Sequence, residues 1–282
     1  LVYPLCVVDV SEKVKEDVSA GHADSKQEAN AAVILVTGPR GFVGRRIMER
    51  LPDAAALPSE LSRSADAEGI AAHVEQVHPS AIFHTAAISD IGTCEKDPQA
   101  SYQANVLLPV ALAKAAKATG AKLVAFSSDQ VYTGRADGGP FGEDLSLPEP
   151  ANVYARHKLE AEKRVLDILP QAVMLRATWM YDMPQYGQPN RGNFLVNVLR
   201  SALRGERQTY SRREFRGITY VRQVAAFMEQ AARLPGGVYN YGSENSLSMY
   251  DTALALLRAL GLEDVGGQAV LGRQGRESTP WL

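Results

Sequence analysis

Cysteine is scarce in this chain: Cys6 and Cys94 are the only two among 282 residues. Two cysteines this far apart give neither a disulfide framework nor the paired spacing of a metal site. The five histidines are scattered, and no set of carboxylates has the spacing of metal ligands. We therefore expect a reduced, cytoplasmic setting and no bound metal.

Long hydrophobic runs and an excess of either charge are also missing. The 30 basic and 32 acidic side chains leave a net charge of −2, so neither a nucleic acid nor a membrane surface is an expected partner. No apolar run approaches the ~20 residues of a membrane-spanning helix, and no segment has the charged start and apolar centre of a signal peptide. What is present, 45% hydrophobic and 22% charged residues, is typical of a soluble globular protein.

Strand-sized apolar segments alternate with helix-sized segments from residue 32 to residue 181. Strands are predicted at residues 32–36, 53–57, 81–85, 122–127 and 172–176, and helices at 41–51, 67–77, 99–119 and 154–169. Strands separated by helices of this length imply right-handed βαβ units. The predicted fold class is therefore α/β, a Rossmann-type doubly wound parallel sheet.

The sequence changes in character after Tyr181. A loop rich in Pro, Gly and Asn is predicted at 182–191, followed by helices at 192–204, 222–234 and 248–260 and strands at 217–221 and 237–241. We expect residues 182–282 to be mainly a smaller lobe over the carboxyl edge of the sheet, with some segments returning to the main domain. Residues 1–31, a strand-like start and a polar stretch, fit neither unit, and the sequence leaves their status open.

A glycine-rich turn connects the first predicted strand and helix of the main domain. Residues 37–44 read Thr-Gly-Pro-Arg-Gly-Phe-Val-Gly. Gly38, Gly41 and Gly44 let the backbone turn tightly, approach phosphates and pack the helix on the strand. This context predicts a dinucleotide pyrophosphate site and makes residues 32–181 an NAD(P)-binding domain. The alternative is a glycine-rich turn in a βα unit that binds nothing.

The residue that would hold the adenosine ribose is not the usual acid. An Asp or Glu is expected about 20 residues after the glycine turn. Pro58, which cannot accept a hydrogen bond through its side chain, stands in that region, and Glu60 could serve only if the strand end is shifted. Arg40 and Arg63 could instead meet a 2′-phosphate. The sequence favours NADPH and leaves NADH open.

A tyrosine and a lysine four residues apart form the second chemical motif. Tyr154 and Lys158 lie on one face of a predicted helix, where the cation can lower the pKa of the phenol. Ser128 follows a buried strand and would lie at the same sheet edge. Ser128, Tyr154 and Lys158 are therefore the candidate catalytic residues: Tyr154 protonates a carbonyl oxygen that Ser128 binds. Alone, the Tyr–Lys pair would be an ordinary helix surface pair.

Together these motifs resemble the extended short-chain dehydrogenase/reductases, and most closely their dTDP-4-dehydrorhamnose reductase-like branch. The resemblance spans roughly residues 32–280. It is carried by residues 37–44, His84-Thr85-Ala86-Ala87, Asn105 and residues 126–132, 154–158, 175–181 and 192–194. Family members reduce the 4-keto group of a nucleotide-linked 6-deoxy sugar, usually with NADPH and in some cases Mg²⁺.

The resemblance also implies roles for individual residues, and Asn105 would be a structural residue that steadies the active-site strand. Cofactor contacts are implied at Gly38, Arg40, Gly41, Phe42, Val43, Gly44, Ala86, Ala87, Ser127, Tyr154, Lys158, Ala177 and Thr178. Substrate contacts are implied at Ser128, Asp129, Trp179, Tyr181 and Asn193. Asp129 could instead cap a turn, and Trp179 and Tyr181 could simply pack under the lobe.

One segment departs from the branch. An Asp-Gln pair followed by Gly-Ser-Pro-Thr is typical there, whereas residues 213–219 read Arg-Glu-Phe-Arg-Gly-Ile-Thr. Because this segment would shape the sugar-nucleotide pocket, the identity of the sugar is open. Arg212, Arg213 and Arg216 could bind a diphosphate or be solvated surface residues.

Three functions fit these observations. The favoured one is an NAD(P)H-dependent reductase of a sugar carbonyl, whose partner is a small sugar or sugar-nucleotide substrate. The others are an epimerase or dehydratase that retains its NAD, and a non-catalytic regulatory subunit that binds another protein. A homodimer is left open.

Overall fold

The computed structural model describes residues 33–133, 135, 140–184, 192–263 and 270–273. The elements expected within residues 1–31 lie outside these ranges, as does most of the loop expected at 182–191. None of the helices in the described ranges is long and apolar enough to cross a membrane.

The main domain is built on a parallel sheet. The described strands are β1 (Ile34–Thr37), β2 (Ala55–Ala56), β3 (Ala81–His84), β4 (Lys122–Ser128), β5 (Val173–Ala177), β6 (Trp179–Tyr181), β7 (Gln208–Ser211), β8 (Ile218–Tyr220), β9 (Gly237–Tyr241) and β10 (Val270–Arg273). Six of them form one sheet in the order β2-β1-β3-β4-β5-β9, with every pairing parallel.

Helices cover both faces of this sheet. The described helices are α1 (Phe42–Arg50), α2 (Ser59–Ser64), α3 (Ala67–Val77), α4 (Ile91–Lys96), α5 (Pro98–Tyr102), α6 (Leu108–Thr119), α7 (Val153–Ile168), α8 (Phe194–Arg204), α9 (Val221–Ala226), α10 (Met228–Ala231) and α11 (Met249–Ala259). On one face α3, α6 and α7 enclose an apolar core, and on the other α1, α9 and α10 enclose a second. The predicted doubly wound α/β fold is confirmed.

The alternation of side chains along the strands explains the two cores. Leu35 and Ile82 point into the first core, and their neighbours Val36 and Phe83 point into the second. All four side chains are fully buried. Burying each of these side chains contributes about 1.5–3 kcal/mol to stability. Because helices cover both faces of the sheet, consecutive residues of a central strand must be apolar.

The predicted helix at 99–119 is interrupted. The chain passes from α5 through a π-helical turn, Gln103–Leu107, into α6, and the Leu108 N–H bonds the carbonyl of Gln103. Pro109, at the start of α6, has no N–H to donate to the carbonyl of Asn105. The wider π-helical turn accommodates the absence of this hydrogen bond, and Asn105 is buried within it.

The second half of the chain contributes to the main sheet and to a separate small core. Strand β9 pairs with β5 in the main sheet, and α9 and α10, which replace the predicted helix at 222–234, pack on that sheet. The strand predicted at 217–221 ends at Tyr220, since Val221 already begins α9. Helices α8 and α11 instead share a separate small core with β10, and two strand pairs, β6–β8 and β7–β10, complete this part.

Candidate active site

The glycine turn packs more tightly than any side chain would allow. Gly38 has a φ of +64° and accepts a hydrogen bond from the Gly41 N–H at 2.8 Å. A Cβ on Gly44 would lie 2.2 Å from the Gly38 carbonyl oxygen and 2.7 Å from Thr85 Oγ1. Helix α1 therefore begins directly against the end of β1.

The start of α1 is open to an anion. Gly41 is its N-cap residue, no side chain caps the helix, and its first turn contains no acidic residue. The first amides of a helix have no partners within it and attract negative charge. Phe42, Val43 and Gly44 contribute the first turn, so the arrangement fits a dinucleotide pyrophosphate.

Thr37 and His84 join the ends of β1 and β3 beneath this turn. Thr37 Oγ1 accepts hydrogen bonds from the N–H groups of Thr85 and Ala86 at 3.1 and 3.2 Å, and lies 2.8 Å from His84 Nδ1. Burial, aided by the charge of Lys158, lowers the pKa of His84 to about 3, so the imidazole is neutral. Ala86 is thereby held against Gly38, and Ala87 follows it at the surface.

Two basic side chains meet at Ser59, just after β2. Arg40 Nη2 from the glycine turn and Arg63 Nη2 from α2 each donate to the Ser59 hydroxyl, at 3.2 and 3.5 Å. Pro58 is the N-cap residue of α2, and Glu60 lies in the first turn of that helix. Two guanidinium groups therefore converge where dinucleotide-binding domains usually have a ribose-binding acid.

The three candidate catalytic residues lie together at the carboxyl edge of the sheet. Ser128 ends β4, Tyr154 lies in the first turn of α7, and Lys158 lies one turn later. All three are buried, and Ser128 is near enough to Tyr154 to affect the pKa of its phenol. Lys158 Nζ donates to the Phe126 carbonyl at 2.8 Å and lies 5.8 Å from the centroid of the Tyr154 ring. The Asn152 side chain caps α7 and fixes where Tyr154 enters the site.

The protonation states suit a proton donor beside a cation. Burial raises the pKa of Tyr154 well above its ordinary value, against an opposing hydrogen bond from Ser128. Burial lowers the pKa of Lys158 to about 8, against the opposing charge of Glu162. We expected the lysine to lower the pKa of the phenol, but burial raises this pKa instead. The phenol is protonated and the ammonium still charged at neutral pH.

Ser127 faces away from the catalytic group because neighbouring side chains of a strand alternate. Its hydroxyl donates to Glu162, which forms a buried ion pair with Arg176 at 2.7 Å. Only the main chain of Ser127 is left for the cofactor contact that the resemblance implies. Asn105 donates to the Ile88 carbonyl and to Ser101, which agrees with its expected structural role.

Two expected cofactor contacts, Ala177 and Thr178, lie at the end of β5 and directly after it. Ala177, the last residue of β5, is paired with Ser128 across the sheet. The Thr178 hydroxyl is 2.9 Å from that of Thr219, and a Cβ on Gly242 would lie 2.0 Å from it. The Thr178 side chain is thus committed to packing, while Ala177 lies beside the catalytic serine.

Among the expected substrate residues, Trp179 is the most open. Its side chain is 39% exposed and its ring lies 6.5 Å from that of Phe194. Tyr181 instead stacks on Tyr220 at 5.5 Å. Asn193 caps α8 by accepting from the Val196 N–H, and its amide donates to the Asp182 carbonyl. The Asn193 side chain therefore positions a helix, and a substrate contact there stays a prediction.

Asp129 is both a turn residue and a candidate substrate residue. Its Oδ1 accepts from Ser128 Oγ at 3.2 Å, and it begins a 3₁₀ turn, Asp129–Tyr132. Burial raises the pKa of Asp129 to about 6, against the opposing charge of Arg216. The carboxylate is ionised at neutral pH and lies next to the catalytic hydroxyl.

Arg216 belongs to a basic segment for which the sequence left both a ligand contact and a solvated surface open. Of the three arginines in its segment, Arg212 lies on the Tyr250 ring and Arg213 is exposed, whereas Arg216 is buried. Its guanidinium lies 4.0 Å from the centroid of the Trp179 ring. The sequence did show that a charged residue stands at position 216, where the related branch has glycine. Spacing along the sequence could not show that this arginine is buried and its neighbours are exposed.

No metal site stands out. Within the described ranges, no group of three or more His, Cys, Asp or Glu side chains is placed to hold a metal ion.

Comparison with known proteins identifies the family. A profile described as the RmlD substrate binding domain matches residues 32–274. The chain belongs to this family. The predicted membership of the extended short-chain dehydrogenase/reductases, in their dTDP-4-dehydrorhamnose reductase-like branch, is confirmed.

Relatives of this RmlD-family chain carry two kinds of name. Methionine adenosyltransferase 2 subunit beta of Xenopus tropicalis is 27% identical over 245 residues, which cover 81% of this chain and 72% of that protein. The dTDP-4-dehydrorhamnose reductase of Aggregatibacter actinomycetemcomitans is 25% identical over 237 residues, covering 80% and 78%. The reductases agree with the predicted class, an NAD(P)-dependent oxidoreductase.

Solved structures share the fold. The dTDP-4-dehydrorhamnose reductase of Bacillus anthracis, in complex with NADP, superimposes with a TM-score of 0.75 at 22% identity. The match covers 88% of this chain and 86% of that one. At this identity the likeness shows the architecture alone.

Proposed function

We propose that this protein is an NADPH-dependent reductase of a 4-keto group on a nucleotide-linked sugar. The observation that carries the proposal is the convergence of Ser128, Tyr154 and Lys158 at the sheet edge that also holds the open start of α1. A protein that only bound a dinucleotide would have no use for a buried, protonated phenol at this position.

The residues divide the chemistry between them. When bound, the dinucleotide supplies a hydride to the carbonyl carbon. Tyr154 gives its proton to the carbonyl oxygen, and Ser128 donates a hydrogen bond to the same oxygen. The Lys158 ammonium stabilises the phenolate left on Tyr154 and holds the ribose, while solvent returns the proton. The product is an alcohol at the former carbonyl carbon.

Two further observations support a sugar-nucleotide substrate. Trp179 is partly exposed two residues after Ala177, which pairs with the catalytic Ser128, and aromatic side chains commonly line ligand pockets. The dTDP-4-dehydrorhamnose reductases among the relatives are named for such a substrate. We therefore take dTDP-4-dehydrorhamnose as the first substrate to test.

Replacing Tyr154 with Phe tests the proton donor. The variant retains the buried ring but has no proton to give, so kcat should fall about 10²–10⁴-fold while the Kd for NADPH stays within a few-fold. Turnover is followed by NADPH absorbance and binding by NADPH fluorescence. Tyr102→Phe is the matched control, because the Tyr102 hydroxyl bonds Glu160 on the outer side of α7. Full activity in Tyr154→Phe would contradict the assignment of the acid.

The preference for NADPH rests on Arg40 and Arg63, whose guanidinium groups converge on Ser59. A 2′-phosphate at this point would accept charge-assisted hydrogen bonds from both. Arg40→Gln should raise the Kd for NADPH about tenfold or more and leave the Kd for NADH within about twofold. Fluorescence titration of both cofactors checks this. Equal weakening of both cofactors would place Arg40 at the pyrophosphate instead.

One other function has specific support. The relatives named methionine adenosyltransferase 2 subunit beta favour a regulatory subunit as the second candidate. Stable co-purification of a second protein, with no turnover of any nucleotide-linked keto-sugar, would establish it. An epimerase or dehydratase would retain NAD through purification, and Pro58 in place of the ribose-binding acid argues against tight retention.

A further inference from the structure

Arg216 is held in a fixed position at the edge of the proposed substrate site. Its main-chain carbonyl accepts from the Asn245 amide at 2.8 Å. The next residue, Gly217, packs so closely that a Cβ there would lie 2.6 Å from the Ser243 carbonyl oxygen and 2.8 Å from Thr178 Cγ2. The segment therefore presents Arg216 from a rigid backbone.

One buried nitrogen of the Arg216 guanidinium has no hydrogen-bond partner. The Nε of Arg216 donates to Glu214, and its guanidinium carbon lies 4.0 Å from the centroid of the Trp179 ring. Nη1 is buried and has no hydrogen-bond partner. A buried donor without a partner is unfavourable, so binding of a group that accepts a hydrogen bond from Nη1 would be favoured.

The charges around Arg216 favour a neutral bound group over an anion. Glu214 is paired with the guanidinium, and Asp129 is close enough for its charge to interact with it. One positive charge therefore faces two carboxylates. A diphosphate would meet a net negative surrounding, whereas a neutral oxygen would meet one free donor and one carboxylate acceptor.

Asp129 also ties this position to the reacting carbon. Its Oδ1 lies 3.2 Å from Ser128 Oγ, the group proposed to bind the carbonyl oxygen. A substituent on the carbon next to a carbonyl group bound at Ser128 is therefore within reach of Asp129.

We propose that Arg216 and Asp129 recognise a neutral hydroxyl on the carbon next to the substrate carbonyl. Arg216 Nη1 donates to this hydroxyl and the Asp129 carboxylate accepts from it, with Trp179 as the platform beneath. The inference rests on the proposed function and assigns the residues that recognise the C3 hydroxyl beside the C4 carbonyl. Arg216, which lies in the segment that departs from the related branch, is then a specificity-determining residue.

The test compares dTDP-4-dehydrorhamnose with its 3-deoxy analogue in the wild type and in Arg216→Met. Met retains apolar contact with Trp179 and removes the donor. The wild type should prefer the hydroxylated substrate by about 10- to 100-fold in kcat/KM, and the variant should lose this preference through a raised KM. The Kd for NADPH should not change. Arg216→Lys, which restores a charge and a donor, should recover part of the preference.

Arg213→Met is the matched control, because it removes an exposed arginine from the same segment. Equal discrimination in the wild type and Arg216→Met, or equal loss in Arg213→Met, would overturn the proposal. Calorimetry with dTDP-rhamnose and its 3-deoxy analogue gives a readout that needs no turnover. The protein could bind the hydroxylated ligand preferentially, in a manner that depends on Arg216, and still show no turnover. That result would support the recognition by Arg216 and Asp129 and contradict the reductase function. No preference in binding would contradict the pair itself.

Discussion

At the scale of single residues, burial has the largest influence on the protonation of His84, Tyr154 and Lys158. Each of them is fully or almost fully enclosed, and burial is the first cause of each pKa shift. The Tyr-x-x-x-Lys spacing identified the pair, because helical periodicity alone brings the two side chains to one face. The spacing could not show how strongly the surrounding protein excludes water, so the direction of the phenol shift emerged only from the fold.

His84 gives a prediction about stability against pH. Its pKa is about 3 in the folded protein and 6.5 unperturbed, so unfolding takes up a proton between these values. The free energy of unfolding should therefore fall as the pH drops below about 6.5, with His84 contributing about 1.4 kcal/mol per pH unit. Urea unfolding at several pH values should show a shallower slope in His84→Gln. His78→Asn, at an exposed left-handed position, should retain the wild-type slope.

At the scale of elements, the glycine turn was predictable because its function depends on local backbone geometry. The sequence placed Gly38, Gly41 and Gly44 between a strand and a helix, and the contacts at Gly44 show why no side chain is accepted there. The interrupted helix around Asn105 was not predicted. Its apolar pattern is continuous, and the π-helical turn arises from Pro109 together with the packing of Asn105 beneath the site.

Gly44→Ala tests the turn. The added Cβ would meet main-chain atoms, so α1 must move away from β1. We expect a loss of about 1–3 kcal/mol in the free energy of unfolding and a rise of about tenfold or more in the Kd for NADPH. Gly92→Ala is the control, because the nearest atom to its new Cβ is 3.5 Å away, and it should be neutral or slightly stabilising. Unchanged NADPH binding in Gly44→Ala would place the cofactor elsewhere.

At the scale of the whole molecule, a buried polar network joins distant segments behind the catalytic residues. Arg176 on β5 pairs with Glu162 on α7 and donates to the Tyr132 hydroxyl at 2.9 Å. Tyr132 in turn donates to Asn240 on β9 at 2.7 Å. Strands β4, β5 and β9 and helix α7 are thus held in one arrangement around Ser128 and Tyr154.

The buried charges of Glu162 and Arg176 should each be tolerated only when the other is present. Arg176→Met alone leaves a carboxylate buried without its partner and should cost about 3–5 kcal/mol in the free energy of unfolding. The double variant Glu162→Leu/Arg176→Met removes both charges and should cost clearly less. Urea titrations of the two proteins and the wild type measure the difference. Equal losses would show that the network contributes through shape and not through charge.

The sequence by itself determined the alternation of strands and helices, the glycine turn and the spacing of Tyr154 and Lys158. These features depend on periodicities of two and 3.6 residues and on backbone freedom, which are local properties of a chain. Only the tertiary structure decided that Ser127 points away from the site, that Asn193 caps a helix and that Arg216 is the buried arginine of its segment. The reason is physical: burial and charge balance depend on neighbours that lie far apart in the sequence.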